Sequence, residues 1–148
     1  MVRTTGLLQI IVLLLCLRVF ISIISVVLVT GGSTCNTSVK ISAELLSSNG
    51  TRLCTLPNLP GPRYSHSQTG LLLCGGGSGG YADGTTCMTL SGGRWKKTHT
   101  LGKRRYEHAA WASPQGVLLM GGRGEYRTTE FLNDDGTTTP GFKLKNHR

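Results

Sequence analysis

Two tetrads, Arg63-Tyr64-Ser65-His66 and Arg105-Tyr106-Glu107-His108, place a cation, a phenol and an imidazole in the same order 42 residues apart. Imidazoles and phenols of this kind can bind a metal, carry a proton or hold an anion. A catalytic or metal-ligating group is needed at one place, however, and a set that recurs belongs to a repeated unit. The expectation is therefore structural. His66 and His108 bond neighbouring main chain, Arg63 and Arg105 bond carbonyls or carboxylates between units, and Tyr64 and Tyr106 serve packing. His99 and His147 complete the histidines. The stretch Gly75-Gly76-Gly77-Ser78-Gly79-Gly80 lacks the Gly-Lys-Ser or Gly-Lys-Thr of a phosphate loop and reads as a loop between strands. No C-x-x-C pair is present to bind zinc, and no paired carboxylates stand at a suggestive spacing. The sequence thus yields no catalytic, cofactor-binding or metal-ligating residues. It reads as a non-enzymatic chain without a cofactor.

Charge is the stronger signal. The 148 residues carry 16 Lys plus Arg against 7 Asp plus Glu, a formal charge of +9. Arg94, Lys96, Lys97, Lys103, Arg104 and Arg105 fall within 12 residues, with Trp95 and His99 among them. On an outer strand and the loop after it they form one basic patch around Trp95, of which Arg94, Lys96, Lys97, Lys103 and Arg104 are the candidate binding residues. Such a patch attracts acidic proteins, sulfated glycans or anionic lipid heads, and its pull decays over about 8 to 10 Å at ordinary salt. The plain alternative is a solvated outer strand. Nucleic acid is not expected, because an exported chain rarely meets it.

The elements that must position these residues come from a repeat. Apolar residues reach 39% and cluster in short runs, which excludes a highly charged disordered chain. The 21 glycines come in pairs rather than at every third residue, which excludes collagen. No stretch after residue 25 holds a helical period, which argues against a bundle. Three runs each end in a glycine pair: Val26 to Gly32, Leu71 to Gly76, and Val117 to Gly122, with the pairs 44 and 46 residues apart. The pairs Gly31-Gly32, Gly75-Gly76 and Gly121-Gly122 close an apolar strand where a Cβ would block the turn and the next unit. Each unit then runs to a hairpin signal: Asn49-Gly50, Gly92-Gly93 and Asp135-Gly136. A period of 42 to 46 with short strands and regular turns reads as four-stranded propeller blades. In the second unit the strands are expected near 66–68, 71–74, 86–90 and 95–101.

The diglycine after an apolar strand, the Arg-Tyr-x-His opening of the next unit and Trp95 some 20 residues past Gly75 resemble the kelch family. Trp-Asp and Gly-His signatures of WD repeats are missing. The resemblance runs from about Val26 to Leu144. It implies an all-β fold: a partial propeller of about three kelch-like blades, near 26–62, 63–104 and 105–148, whose loops hold a protein partner. Propellers have 4 to 8 blades, and 123 residues from Val26 supply about 2.8 units. The chain is then a piece of a longer product, the favoured reading, or it assembles with copies of itself, or it forms a short open arc. Some kelch-type propellers are copper oxidases resembling galactose oxidase. The alternative reading is therefore a fragment of such an enzyme with its active residues in absent blades, since the tyrosine and histidine set of that copper site is not found here.

Residues 1–25 read as a signal peptide or an uncleaved signal anchor, a hydrophobic helix before the blades. Leu7 to Thr30 contains 18 Leu, Ile, Val or Phe. Arg18 in its middle costs about 2.5 to 3.5 kcal/mol on the insertion scale, less than that hydrocarbon returns. Val26 to Thr30 is also readable as a strand of the folded domain. The expected location is secreted or membrane-anchored with the blades outside. Cys74 and Cys87 fall on neighbouring antiparallel strands and are expected to form a disulfide, leaving Cys35 with Cys54 as a second pair. Asn36 and Asn49 head Asn-x-Thr or Asn-x-Ser acceptor sequences for glycosylation in the secretory route.

Overall fold

The computed structural model describes residues 26–33, 38–77 and 84–146. It is all-β. Eleven strands form three antiparallel sheets in chain order. The first sheet contains β1 (Val26–Thr30), β2 (Ala43–Ser47) and β3 (Arg52–Leu56). The second runs β4 (Ser67–Thr69), β5 (Leu72–Cys74), β6 (Thr86–Ser91) and β7 (Arg94–Thr100), and the third runs β8 (Ala109–Ser113), β9 (Gly116–Met120), β10 (Thr128–Leu132) and β11 (Thr138–Lys143). Each sheet is a simple meander, every strand pairing with its sequence neighbour. The strands of the second sheet fall within a residue or so of the spans expected from sequence. Val26–Thr30 is a strand paired with β2. The leader expected over residues 1–25, and with it the N-terminal helix, lies outside the described residues. No described helix is long and apolar enough to cross a membrane.

The turns explain why these segments pair as they do. Gly92 and Gly93 both have positive φ, +59° and +72°, as a two-residue hairpin between β6 and β7 requires. In the turn after β2, the Asn49 side chain accepts from the backbone N–H of Thr51 at 3.1 Å and from the Ser47 hydroxyl. Asn49 is thus a turn residue on the exposed surface.

Alternation along each strand gives every sheet two different faces. Leu28, Ala43, Leu45 and Leu56 of the first sheet pack against Leu71, Leu90 and Trp95 of the second. Leu72, Cys74 and Cys87, on the opposite face of the second sheet, pack against Ala110, Val117, Leu119 and Leu132 of the third, with Leu101 filling the space beside them. The sheets therefore stack in sequence order, one face of each on the other face of the next. Leu73 and Leu119, each two residues before a glycine pair, are completely buried.

Cys74 and Cys87 face one another across β5 and β6, with Cα atoms 4.1 Å apart, and form a disulfide. It is buried between the second and third sheets. A disulfide is consistent with an extracellular location. Cys54 lies on β3 among the residues packed between the first and second sheets, while its expected partner Cys35 lies outside the described residues, as does Asn36. Replacing Cys74 and Cys87 together by alanine is expected to lower the unfolding free energy by about 3 kcal/mol, the chain-entropy value for a loop of this length. Urea unfolding of the oxidised protein and the double variant checks it.

Candidate binding surface

The joint between consecutive sheets is the framework on which any site is hung. Gly31 and Gly75 lie at φ +58° and +62°, and a Cβ on either would run into the backbone carbonyl of Arg63 or Arg105. The glycine after each donates its N–H to that same carbonyl, Gly32 to Arg63 at 2.7 Å and Gly76 to Arg105 at 2.8 Å. The guanidinium of each arginine turns the other way, into its own sheet. Arg63 donates to the carbonyls of Gly75 and Thr86. Arg105 donates to those of Gly121 at 3.0 Å and Thr128 at 3.1 Å. The expected bonds between units are thus made by the arginine main chain, and the side chains bond within the unit. Each arginine clips the end of one sheet to the start of the next.

The other members of the tetrad have separate roles. Tyr64 exchanges backbone bonds with Gly77 at 2.8 and 2.9 Å, and Tyr106 accepts from the Arg123 N–H at 2.8 Å. Ser65 and Glu107 are the two positive-φ residues other than glycine among the described residues, at +53° and +56°. That repeated left-handed step turns the following histidine back toward the preceding sheet. There His66 Nε2 meets the Thr30 hydroxyl at 2.9 Å, and His108 Nε2 meets the Ser67 hydroxyl at 2.7 Å. The histidines therefore bond side-chain hydroxyls rather than main chain. Burial, helped by the positive charge of Arg63 or Arg105, lowers each imidazole pKa from 6.5 to about 4.

Arg105 departs from the basic patch. It is 2% exposed and forms an ion pair at 3.5 Å with Glu130, itself 5% exposed. Glu130 also accepts from the Gly102 N–H at 2.6 Å. Its role is not readable from the sequence; the signal available is one carboxylate inside an otherwise uncharged strand. Trp95 is likewise not a patch residue. Its ring packs with Leu59, Leu73 and Met88, and its Nε1–H donates to the Pro57 carbonyl at 2.7 Å.

The five remaining cations are exposed but not gathered. Arg94 starts β7 at the hairpin end of the sheet, Lys96 and Lys97 follow along that outer strand, and Lys103 and Arg104 lie past its other end. Six residue steps of strand separate Arg94 from Thr100, about 20 Å, well beyond the screening length at physiological salt. The expected single patch is therefore a stripe with two separate ends. Lysines on the outermost strand also discourage pairing with a foreign strand.

At the glycine end the structure brings together residues that the sequence does not associate. Tyr64, Gly84, Arg104, Tyr106, Arg123 and Gly124 line an open hollow of about 470 Å³. The two tyrosines come from equivalent positions of successive units. Arg104 comes from the connection between the second and third sheets, and Arg123 from the loop after the third glycine pair. Arg123 reaches Glu107 at 2.9 Å, and Lys103 reaches Glu125 at 3.7 Å, both on the surface. Phenol rings, guanidinium groups and the exposed backbone of Gly124 suit a ligand with a carboxylate or sulfate on a flat or apolar body. Among the described residues no three His, Cys, Asp or Glu side chains gather as a metal site. No family model and no curated protein matches this chain.

Two outcomes follow. Unfolded imidazoles take up protons below about pH 6.5, whereas His66 and His108 stay neutral in the fold to about pH 4. Their contribution to stability is complete above pH 6.5 and is lost as the pH falls through that window, on the order of 3 kcal/mol for each histidine. Urea unfolding at a series of pH values reads it, and the pH slope should be about halved in His108→Gln. Separately, Arg105→Met strands the Glu130 carboxylate and is expected to cost about 3 to 5 kcal/mol. Arg104→Gln, one residue away, should change stability by about 0.5 kcal/mol or less.

Proposed function

We propose that this chain is a non-enzymatic interaction module, an arc of three kelch-like propeller units that is exported or membrane-anchored and binds an acidic protein partner at the glycine end of its sheets. The observation that carries the reading is the hollow where Arg104 and Arg123 stand beside Tyr64 and Tyr106. Tyr64, Arg104 and Tyr106 lie on connections between sheets, and Gly84, Arg123 and Gly124 on loops within the second and third sheets beside the glycine pairs, so buried joints set the positions of these loops and their exposed side chains are open to contact. Lys103 adds charge at the same end, and Lys96 and Lys97 extend the positive field along β7. A formal charge of +9 supports steering of an acidic surface toward this end, with a strong dependence on salt. The propeller reading is supported by the three sequential meander sheets, the repeated arginine joint and the stacking of unlike faces. Export is supported by the disulfide and by the hydrophobic leader.

A polyanion column gives the test. Full-length protein should be retained on a sulfated-glycan matrix at low salt and released as salt rises. Arg104→Glu with Arg123→Glu should abolish retention while leaving the urea midpoint nearly unchanged. Lys96→Glu with Lys97→Glu should weaken it less. Retention of the first pair equal to that of the parent protein sinks the assignment of the hollow.

A further inference from the structure

A second cavity lies between the connection that leaves β7 and the strands of the third sheet. Lys103 and Arg105 of the connection, Glu125 before β10, Thr128 and Glu130 of β10, and Pro140 of β11 line an open space of about 250 Å³. It shares no lining residue with the hollow of Tyr64 and Tyr106.

The repeat accounts for this space. In the second sheet Trp95 stands opposite Leu90 across β6 and β7, and its ring packs with Met88 and Leu59. In the third sheet Thr138 stands opposite Leu132, and Glu130 takes the place of Met88. The joint that an indole fills in one unit is therefore left partly open in the next, and a carboxylate only 5% exposed lines the opening.

The polar groups around the cavity are held in place. The Thr128 hydroxyl accepts from Arg105 Nη2 at 2.8 Å and donates to Glu125 Oε2 at 3.1 Å. The other Glu125 oxygen has Lys103 Nζ at 3.7 Å, outside hydrogen-bond length. Glu130 accepts from the Gly102 N–H through Oε1, and its Oε2 has Arg105 Nε at 3.5 Å, the long limit of a hydrogen bond. Among the described residues each carboxylate thus has one oxygen without a short hydrogen bond. Two cations and two carboxylates make the lining neutral. A lone cation or anion would enter it unbalanced, which is costly away from water, whereas a body with one charge of each sign keeps the balance.

We propose that this cavity binds a free α-amino acid with an apolar side chain. The ammonium sits between Glu125 and Glu130, the carboxylate takes Lys103, and the side chain covers Pro140 and the space that Trp95 fills one unit earlier. Entry parts Lys103 from Glu125, a long surface contact that contributes little by itself. L-Tryptophan carries the same ring as Trp95 and is the probe.

Equilibrium dialysis of full-length protein in mild detergent against labelled L-tryptophan, with detergent alone as the blank, should show one site per chain and a dissociation constant on the order of 1 mM or lower. Tryptamine lacks the carboxylate and indole-3-propionate lacks the ammonium, and each should bind about tenfold more weakly. Glu125→Gln should weaken tryptophan binding by a similar factor. Lys103→Gln should weaken the binding of tryptophan but not of tryptamine. Thr138→Trp, which returns the ring of the second unit, should abolish binding, with circular dichroism and the urea midpoint unchanged in all three variants. No saturable binding of tryptophan up to about 10 mM overturns the proposal. So does tryptamine binding as tightly as tryptophan, or full binding in folded Glu125→Gln or Thr138→Trp protein. Polyanion retention is read separately and depends on Arg104 and Arg123, which these variants leave in place, so failure of this cavity and failure of the hollow are distinguishable.

Discussion

The structure depends on one joint, the close approach of an arginine carbonyl to a glycine pair. The carbonyl of Arg63 or Arg105 sits where a Cβ on Gly31 or Gly75 would be, and it accepts the N–H of the next glycine. An alanine at the first glycine would have to adopt a left-handed conformation and would also push the following unit away. The guanidinium of the same residue adds donors to carbonyls at the end of its own sheet, those of Gly75 and Thr86 for Arg63 and those of Gly121 and Thr128 for Arg105. An unpaired buried carbonyl is costly, and one planar cation with five donors satisfies several at once. A single residue thereby closes the end of its own sheet and fixes the start of that sheet against the previous one.

The second and third units meet the same demand in different ways. The position occupied by Met88 in the second sheet holds Glu130 in the third. Met88 packs with Leu59, Leu73 and Trp95, and the Trp95 indole ties down the entering segment through Pro57. Glu130 ties down the corresponding segment through the Gly102 N–H and balances the charge of Arg105. One unit uses apolar packing with a single indole bond, and the other uses a buried ion pair. The third unit therefore manages without a counterpart of Trp95. Its buried pair contributes geometric specificity, because the desolvation of both groups offsets much of their attraction.

The neutral state of His66 and His108 belongs to the same joint. Each ring lies against the first glycine of the preceding pair and bonds a hydroxyl on the preceding sheet, beside an arginine that opposes its protonation. The joints are thus assembled with uncharged imidazoles and permanently charged guanidiniums. Exposed cations are left for the loops above. The joints beneath hold those loops still.

Much was readable from the residue order. Paired glycines, the Gly92-Gly93 hairpin and short β-branched or leucine runs require particular backbone angles and a period of two, both local properties. They placed the strands of the second sheet to within about a residue, and they placed Cys74 opposite Cys87. Neighbouring cations were a different matter. Arg104 and Arg105 are adjacent and chemically identical, yet one lines an open hollow and the other is among the most buried residues of the chain. Successive residues in an extended chain point to opposite sides, and which side is interior is decided by the sheet that arrives later. The same holds for Trp95, for Glu130 and for the left-handed Ser65 and Glu107. Their surroundings come from segments distant in the chain, so composition and spacing determined the strands, and only the stacking of the sheets decided which charges are buried in the joints and which stay on the surface.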